Sequence, residues 1–399
     1  MPKGAQKVYF SFDETHIIHF GGMWLIQRFC KKLGLKKHLQ NYIRLARRNQ
    51  DYHPSELILA LIFVIIMGLR RINKTEILKY NGAFLEMLGL ARFPDQSTLR
   101  RFLKRLPPKT IRRLVRLHDS LRAHLFCLPA GRTTLIFDID SVVITIYGKQ
   151  EGAQIGYNPK RHGRRSYHPL LCFESHFQEF WHGSLRPGNV ASYTGVVPFI
   201  KACLKKVPST IARSRIRFRM DSGYYGSPMI KFLKTTGCGY VIAAKQYPNI
   251  KRRARTYRFH SIGHGWEAGE FRESVYWRWK KKHRFVVVRH PILESPEEIK
   301  QPELFKDKEH VYYIFVTNLK LSPWRVYLFY RPRAAVEKNV RELLYTTPWA
   351  RFPQTVGYPT WPSFKFFSLP QISFIGSKGY AYQKSISLQP WRPFARTFW

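Results

Sequence analysis

Leu135-Ile136-Phe137-Asp138-Ile139-Asp140-Ser141 lies in a β-branched run from Thr134 to Ile146, and its reading decides the fold. The two-residue period of a strand puts Asp138 and Asp140 on the same face. Working outward, Leu170 to Phe177 and Phe180 to Leu185 read as further strands, and Val196 to Lys206 returns to a helical period. Arg215 to Met220 and Tyr240 to Ala244 are two more short apolar strands, separated by a helix from about Ser227 to Thr235. Strands and helices that alternate in this way predict an α/β core.

Between Gln246 and about Glu309 the chain turns polar, aromatic and very basic, with strand-like pieces such as Phe285 to Val288, which predicts a β-rich insertion. Val311 to Val316, Val326 to Tyr330 and a helix starting near Arg333 then resume the core. Upstream, from about residue 12 to 128, apolar positions recur at three and four through Trp24 to Leu35, Leu57 to Leu69, Thr75 to Leu88 and Ser97 to Leu106. That period predicts an all-helical N-terminal domain. Within it, Phe93-Pro94-Asp95-Gln96-Ser97-Thr98-Leu99-Arg100-Arg101-Phe102-Leu103 has a turn, a capping residue and a short helix with a basic outer side, the pattern of a DNA recognition helix or of an ordinary bundle helix. The expected organisation is a helical domain over 1–130, an α/β core over 131–245 and 310–344, an insertion over 246–309, and an atypical tail over 345–399.

Lys and Arg number 68 against 25 Asp and Glu, a formal net charge of +43 over 399 residues. Self-repulsion on this scale calls for a polyanionic partner, and nucleic acid is the natural one. Basic runs at Arg44 to Arg48, Arg100 to Arg105, Lys160 to Arg165, Lys251 to Arg255 and Lys280 to Arg284 predict a long contact path rather than a single tail. With 44% hydrophobic residues the chain can bury a large core, which excludes a disordered basic tail. Its five scattered cysteines form no zinc-finger pair or disulfide framework and fit a reducing cytoplasm. The longest apolar run, Leu57 to Met67, is too short to span a bilayer, and no signal-peptide pattern precedes it. His260 and His264 lie in a Gly-containing loop without zinc-ligand spacing.

Three carboxylates stand out inside this basic chain. Asp140 follows a strand, Asp221 ends Ile216-Arg217-Phe218-Arg219-Met220, and Glu337 lies one helical turn after Arg333 and one before Arg341. Carboxylates brought together from separate elements can hold two hard cations, the arrangement that phosphodiester cleavage on two metals requires. Taken singly, each acid reads more readily as structural, a strand-end Asp as a cap and a helix Glu as a surface ion pair, and spacing alone does not decide.

The neighbouring residues carry a resemblance. Asp140-Ser141 with Tyr147-Gly148-Lys149-Gln150-Glu151-Gly152-Ala153, Gly156-Tyr157-Asn158-Pro159-Lys160 and Ser166-Tyr167-His168-Pro169-Leu170 resembles the first catalytic region of bacterial insertion-sequence DDE transposases. Leu185-Arg186-Pro187-Gly188-Asn189 and Arg219-Met220-Asp221-Ser222-Gly223-Tyr224 resemble the second region. Val316-Thr317-Asn318-Leu319 and Tyr330-Arg331-Pro332-Arg333-Ala334-Ala335-Val336-Glu337 resemble the third. The resemblance spans roughly residues 10 to 344 and is nearest to the IS-thirteen-eighty group of the IS-four-like set.

It implies an RNase H-like core in which Asp140, Asp221 and Glu337 hold two Mg2+ or Mn2+ ions, with DNA cut at the element's ends and the freed 3′-hydroxyl joined to target DNA. It also implies a homodimer on double-stranded DNA, acting in the cytoplasm at the nucleoid, with Tyr330 and Arg333 at a DNA phosphate. Arg100, Arg101, Lys160 and Arg161 are the expected further DNA contacts. Val142 replaces the threonine usual after Asp-Ser, and Leu344 stands where related transposases often carry a lysine. Two other readings stay open: an RNase H-fold nuclease that cuts without strand transfer, and a catalytically defective remnant that only binds DNA.

After Glu342 there is no Asp or Glu in 57 residues, while 7 Pro and 15 aromatics crowd in without period. A one-base slip accounts for this composition. The slip makes the first base of each codon the middle base of another; Phe, Trp, Tyr and most Ser codons begin with T, and middle T specifies apolar residues. Trp361 to Ser368 would then encode a mostly apolar segment like the family's C-terminal helices. The tail is therefore read as out of frame, which predicts exposed apolar surface and an enzyme of weakened or lost activity.

Overall fold

The structure is a computed structural model that describes residues 20–43, 45, 51–69, 71–125, 134–274, 281–292, 305–306 and 310–346. The expected out-of-frame tail lies outside the described residues apart from its first two positions. The chain divides into two compact units, Met1–Arg105 and Leu106–Trp399.

The described part of the first unit consists of helices α1 (Met23–Lys32), α2 (Leu35–Tyr42), α3 (Pro54–Ile66), α4 (Gly82–Leu88) and α5 (Gln96–Lys104), with a 3-10 stretch at Ile72–Tyr80. The apolar helix α3 starts at Pro54, where the missing N–H costs nothing, and Glu56 reaches back to accept from His53 N at 2.9 Å. It is buried almost all round, and no helix among the described residues is long and apolar enough to cross a membrane. The single helix expected over Thr75 to Leu88 is divided: the 3-10 stretch ends at Asn81, whose side chain accepts from Phe84 N at 3.0 Å and starts α4. On α5, Leu99 and Phe102 face the core while Arg100, Arg101 and Lys104 are exposed. Asp95 holds the capping position of α5, yet its carboxylate makes no cap bond and pairs with Lys79 instead.

The second unit opens with α6 (Pro108–Leu125), followed by β1 (Leu135–Ser141), β2 (Ile144–Thr145), β3 (Gln154–Ile155), β4 (Arg165–Tyr167), β5 (Leu170–Glu174), β6 (Glu179–Ser184) and α7 (Val196–Lys205). Next come β7 (Ile216–Met220), α8 (Ser227–Thr235), β8 (Gly239–Ala243), α9 (Pro248–Arg255), β9 (His260–Gly263), β10 (Trp266–Ser274), β11 (Lys282–Pro291) and β12 (Phe305–Lys306). The described chain closes with β13 (His310–Thr317), α10 (Pro323–Tyr330), a 3-10 turn at Arg331–Ala334, and α11 (Ala335–Thr346).

One ten-stranded sheet, counted among the described residues, runs in the order β6-β5-β1-β7-β8-β13-β11-β10-β9, with β12 beside β13. β1, β7 and β8 are parallel, and the remaining pairings are antiparallel. The insertion strands therefore extend the main sheet, because β13 pairs with β8 on one side and β11 on the other. Leu135, Phe137, Ile139, Ile216, Phe218 and Met220 face a core shared with α7, α8 and α9. On the opposite face Val241, Ala243, Val286, Val288 and Phe315 pack against Val326, Tyr327 and Tyr330 of α10.

The division falls at Arg105 and Leu106, short of the residue 130 expected from the sequence. Partners remote in sequence explain why α6 belongs to the sheet. Arg122 lies over the Trp181 ring at 4.1 Å and donates to Trp181 O at 2.9 Å, while Asp119 accepts from Lys206 at 2.7 Å. A buried guanidinium must be paired, so these bonds fix α6 where they can be made.

Candidate active site

The parallel register of β1 and β7 pairs Asp138 with Arg219 and Ile139 with Met220, so Asp140 and Asp221 leave adjacent strands side by side. Both acids sit at carboxyl ends of parallel strands, where α/β sheets place their ligands. Arg333 lies between them, its Nη2 3.4 Å from Asp140 Oδ1 and 3.6 Å from Asp221 Oδ2. Asp140 Oδ1 also accepts from Ser141 N at 2.8 Å, and Asp221 Oδ1 from Gly223 N at 2.9 Å. Gly223 leaves little room for a side chain, since a Cβ would stand 3.0 Å from Asp221 Oδ1 and 3.2 Å from Ser192 Cβ.

Burial pushes the Asp140 carboxyl up to about 6, and the charges of Asp221 and Glu337 push the same way, while Arg333 and the Ser141 N–H hold it down. Glu337 is thus within electrostatic reach of Asp140, although its side chain is exposed on the first turn of α11. Among the described residues no group of three His, Cys, Asp or Glu side chains converges closely enough to form a ready metal cage. What the fold gathers is two carboxylates around a guanidinium, with the third acid at the edge. The donor chemistry fits hard divalent cations: the ligating atoms would be carboxylate oxygens alone, and Arg333 stands in for the positive charge they need.

Residues quoted in the sequence motifs, but given no role there, hold this site together. His168 Nδ1 donates to Val190 O at 2.8 Å, which leaves Nε2 to accept from Ser141 Oγ at 3.1 Å, and burial keeps the ring neutral. Ser141 Oγ is also 3.3 Å from Ser192 Oγ. Buried Arg186 donates to His168 O at 2.8 Å, Ala191 O at 3.1 Å and Ser192 O at 3.2 Å, and also to Thr194 O. The signal that could have found them was polarity within otherwise buried motifs. The partners were not readable, because each lies many residues away.

The small sheet β2-β4-β3 carries the basic loop. Asn158 is buried, accepts from Arg161 N at 3.1 Å and donates to Thr145 Oγ1 at 2.9 Å, and so turns Lys160 and Arg161 outward into solvent. Tyr330, expected at a phosphate, is instead buried, and its hydroxyl donates to Met220 O at 3.2 Å. Arg333, expected at the same phosphate, is buried against the two aspartates. Arg100 and Arg101 lie exposed on α5 in the first unit.

No curated protein matches the chain. Among solved structures, the piggyBac transposase synaptic complex with hairpin DNA is similar at 12% identity, over 91% of this chain and 75% of that chain, with a TM-score of 0.45. The Mos1 transposase paired-end complex with the left transposon end is similar at 9% identity, over 57% of this chain and 78% of that chain, with a TM-score of 0.21. The family described as "Transposase DDE domain group 1" matches residues 1–356, most of the chain, and the protein accordingly belongs to that family of DDE transposases.

Proposed function

We propose that this chain cuts DNA at the ends of an insertion sequence and joins them to target DNA, with Asp140, Asp221 and Glu337 as the acidic triad. The observation that carries the reading is the register that sets Asp140 and Asp221 side by side around a buried cation, with Glu337 near enough to raise the Asp140 carboxyl. The order β6-β5-β1-β7-β8, with β5 antiparallel to β1, supports an RNase H-like core. Two Mg2+ or Mn2+ ions would be held by the three carboxylates and would stabilise charge on the attacking and leaving oxygens. The chain's own residues orient these groups: Ser141 and Gly223 N–H fix one oxygen of each aspartate, and Arg333 balances their charge.

The exposed Lys160 and Arg161 are proposed to meet the DNA backbone near the site, and Arg100 and Arg101 to meet it from α5. Arg333 is proposed to contact a phosphate, for which it must leave the carboxylates. A DNA-binding role for the helical region 1–130, a homodimer on DNA, action at the nucleoid and membership of the IS-thirteen-eighty group complete the proposal.

A second reading is favoured by the composition of the tail, whose 57 residues after Glu342 hold no acidic residue. In that reading a one-base slip has replaced the segment behind α11, and the protein binds DNA without cutting it. Sequencing the gene tests the slip: an open shifted frame without an amphipathic helix would remove it. Cleavage of a labelled duplex carrying the element's terminal repeat, in Mg2+ or Mn2+, tests the enzyme. Asp221→Asn is expected to lower cutting about a thousandfold, the upper end of the range for losing a key charge-stabilising group, while gel-shift binding in EDTA persists. Equal cutting by parent and variant would exclude the triad, and binding without cutting by the parent would favour the remnant.

A further inference from the structure

Two hydrogen bonds cross between the end of β7 and the end of α10, one in each direction. From β7, Arg219 Nη1 donates to Phe329 O at 2.9 Å; from α10, the Tyr330 hydroxyl donates to Met220 O at 3.2 Å. Met220 immediately precedes Asp221, and Tyr330 immediately precedes the 3-10 turn that carries Arg333 and leads into Glu337. The joint thus connects the strand that ends in the second acid to the segment that carries the third.

Both donors are held rigidly. Asp138 accepts from Arg219 Nε and Nη2, each at 2.6 Å, and the two side chains are each only 2% exposed. Ser175 Oγ accepts from the same Nη2, and the Phe329 ring lies 5.5 Å from the guanidinium carbon. The Tyr330 ring packs on Phe315 at 4.6 Å between centroids. The guanidinium carries donors on separate nitrogens in a planar fork, so it meets Asp138 through Nε and Nη2 and Phe329 O through Nη1, a geometry the compact ammonium of lysine does not reproduce.

We propose that Arg219 and Tyr330 are positioning residues that set the distance of Glu337 from Asp140 and Asp221, and so determine how well the three carboxylates bind a divalent cation. The inference rests on the triad reading given above. It assigns Tyr330 to the assembly of the acidic site through Met220 O and leaves the phosphate contact to Arg333. Asp138 acts one step further back: the strand register pairs it with Arg219, which fixes the guanidinium that reaches α10.

The test is a titration of the full chain with Mn2+ in the absence of DNA, with free Mn2+ read by electron paramagnetic resonance. It compares the parent with Tyr330→Phe, Arg219→Lys and Asp221→Asn. Thermal melting of each protein and gel-shift binding to a mixed-sequence duplex in EDTA are measured in parallel. Tyr330→Phe keeps the ring and removes the hydroxyl that makes the crossing bond, so it decides the matter even where Arg219→Lys fails to fold. The expected result is Mn2+ binding weakened about tenfold in Tyr330→Phe, the lower end of the range for groups that orient metal ligands, with DNA binding in EDTA unchanged.

Mn2+ binding at the parental level in a folded Tyr330→Phe would overturn the proposal. Loss of DNA binding in EDTA without loss of Mn2+ binding would overturn it too, and would return Tyr330 to a phosphate. Mn2+ binding untouched by Asp221→Asn would overturn the triad reading, and the positioning role with it. Weakened binding in Asp221→Asn beside parental binding in Tyr330→Phe would remove the positioning role alone.

Discussion

Asp140→Asn should stabilise the metal-free chain at neutral pH while abolishing its ability to cut DNA. Burial first, and then the charges of Asp221 and Glu337, raise the Asp140 carboxyl from 3.8 to about 6, against the opposing pull of Arg333. A carboxyl raised on folding favours the folded state fully only below its unfolded value, and that contribution is lost as the pH rises through the folded value. The neutral amide cannot ionise and escapes the loss. The advantage of the variant should therefore open between about pH 4 and pH 6 and level off above, at on the order of 2 kcal/mol. Urea melts of parent and variant across this range check it. A difference that is the same at every pH would show that Asp140 carries no such cost. Under the proposed triad the trade is physical: the cost of the buried charge would be offset by the cation it is proposed to hold.

Gly188→Ala should cost about 3 kcal/mol of stability, the upper end for overpacking a tight contact, and should remove cleavage as well. A Cβ at Gly188 would stand 2.1 Å from Ser166 Oγ, 2.6 Å from Ser166 O and 2.7 Å from Gln154 O. The hydroxyl can rotate away, but the two carbonyl oxygens belong to the backbone of β3 and β4. Gly156 meets the same loop from the other side, where a Cβ would lie 2.2 Å from Gly188 O. The two glycines let the segment from Leu185 to Thr194 lie flat on the small sheet, and that segment supplies Val190 O to His168 and Ser192 to Ser141. Pushing it outward loosens the hydrogen bonds around Asp140. Gly22→Ala, whose Cβ meets nothing within 4 Å, is the control. A Gly188→Ala protein that melts and cuts like the parent would refute the argument.

The succession of elements was legible because it depends on local period. The expected strand Arg215 to Met220 forms as Ile216–Met220, and the expected helix Ser227 to Thr235 forms with those bounds. The helix expected near Arg333 begins two residues later, after a 3-10 turn set by Pro332. The boundary near residue 130 was not legible, because nothing within α6 states that Arg122 will meet Trp181 or that Asp119 will meet Lys206. Asp95 shows the same limit on a smaller scale: its residue type and position announce a cap, and a lysine brought near by the fold takes the carboxylate instead.

The sequence by itself determined the alternation of strands and helices, the basic surface and the identity of three acids worth weighing, since side-chain type and a period of two or four residues are local properties. Only the tertiary structure decided the relations among them. Strand register, a long-range choice fixed by both faces of a sheet, matched Asp138-Ile139-Asp140 to Arg219-Met220-Asp221. It thereby turned one acid of the first strand into the partner of an arginine and the other into the neighbour of a second acid. The same packing buried Arg333 against that pair and the Tyr330 hydroxyl against Met220 O, because a buried guanidinium goes where carboxylates are and a buried hydroxyl needs an acceptor.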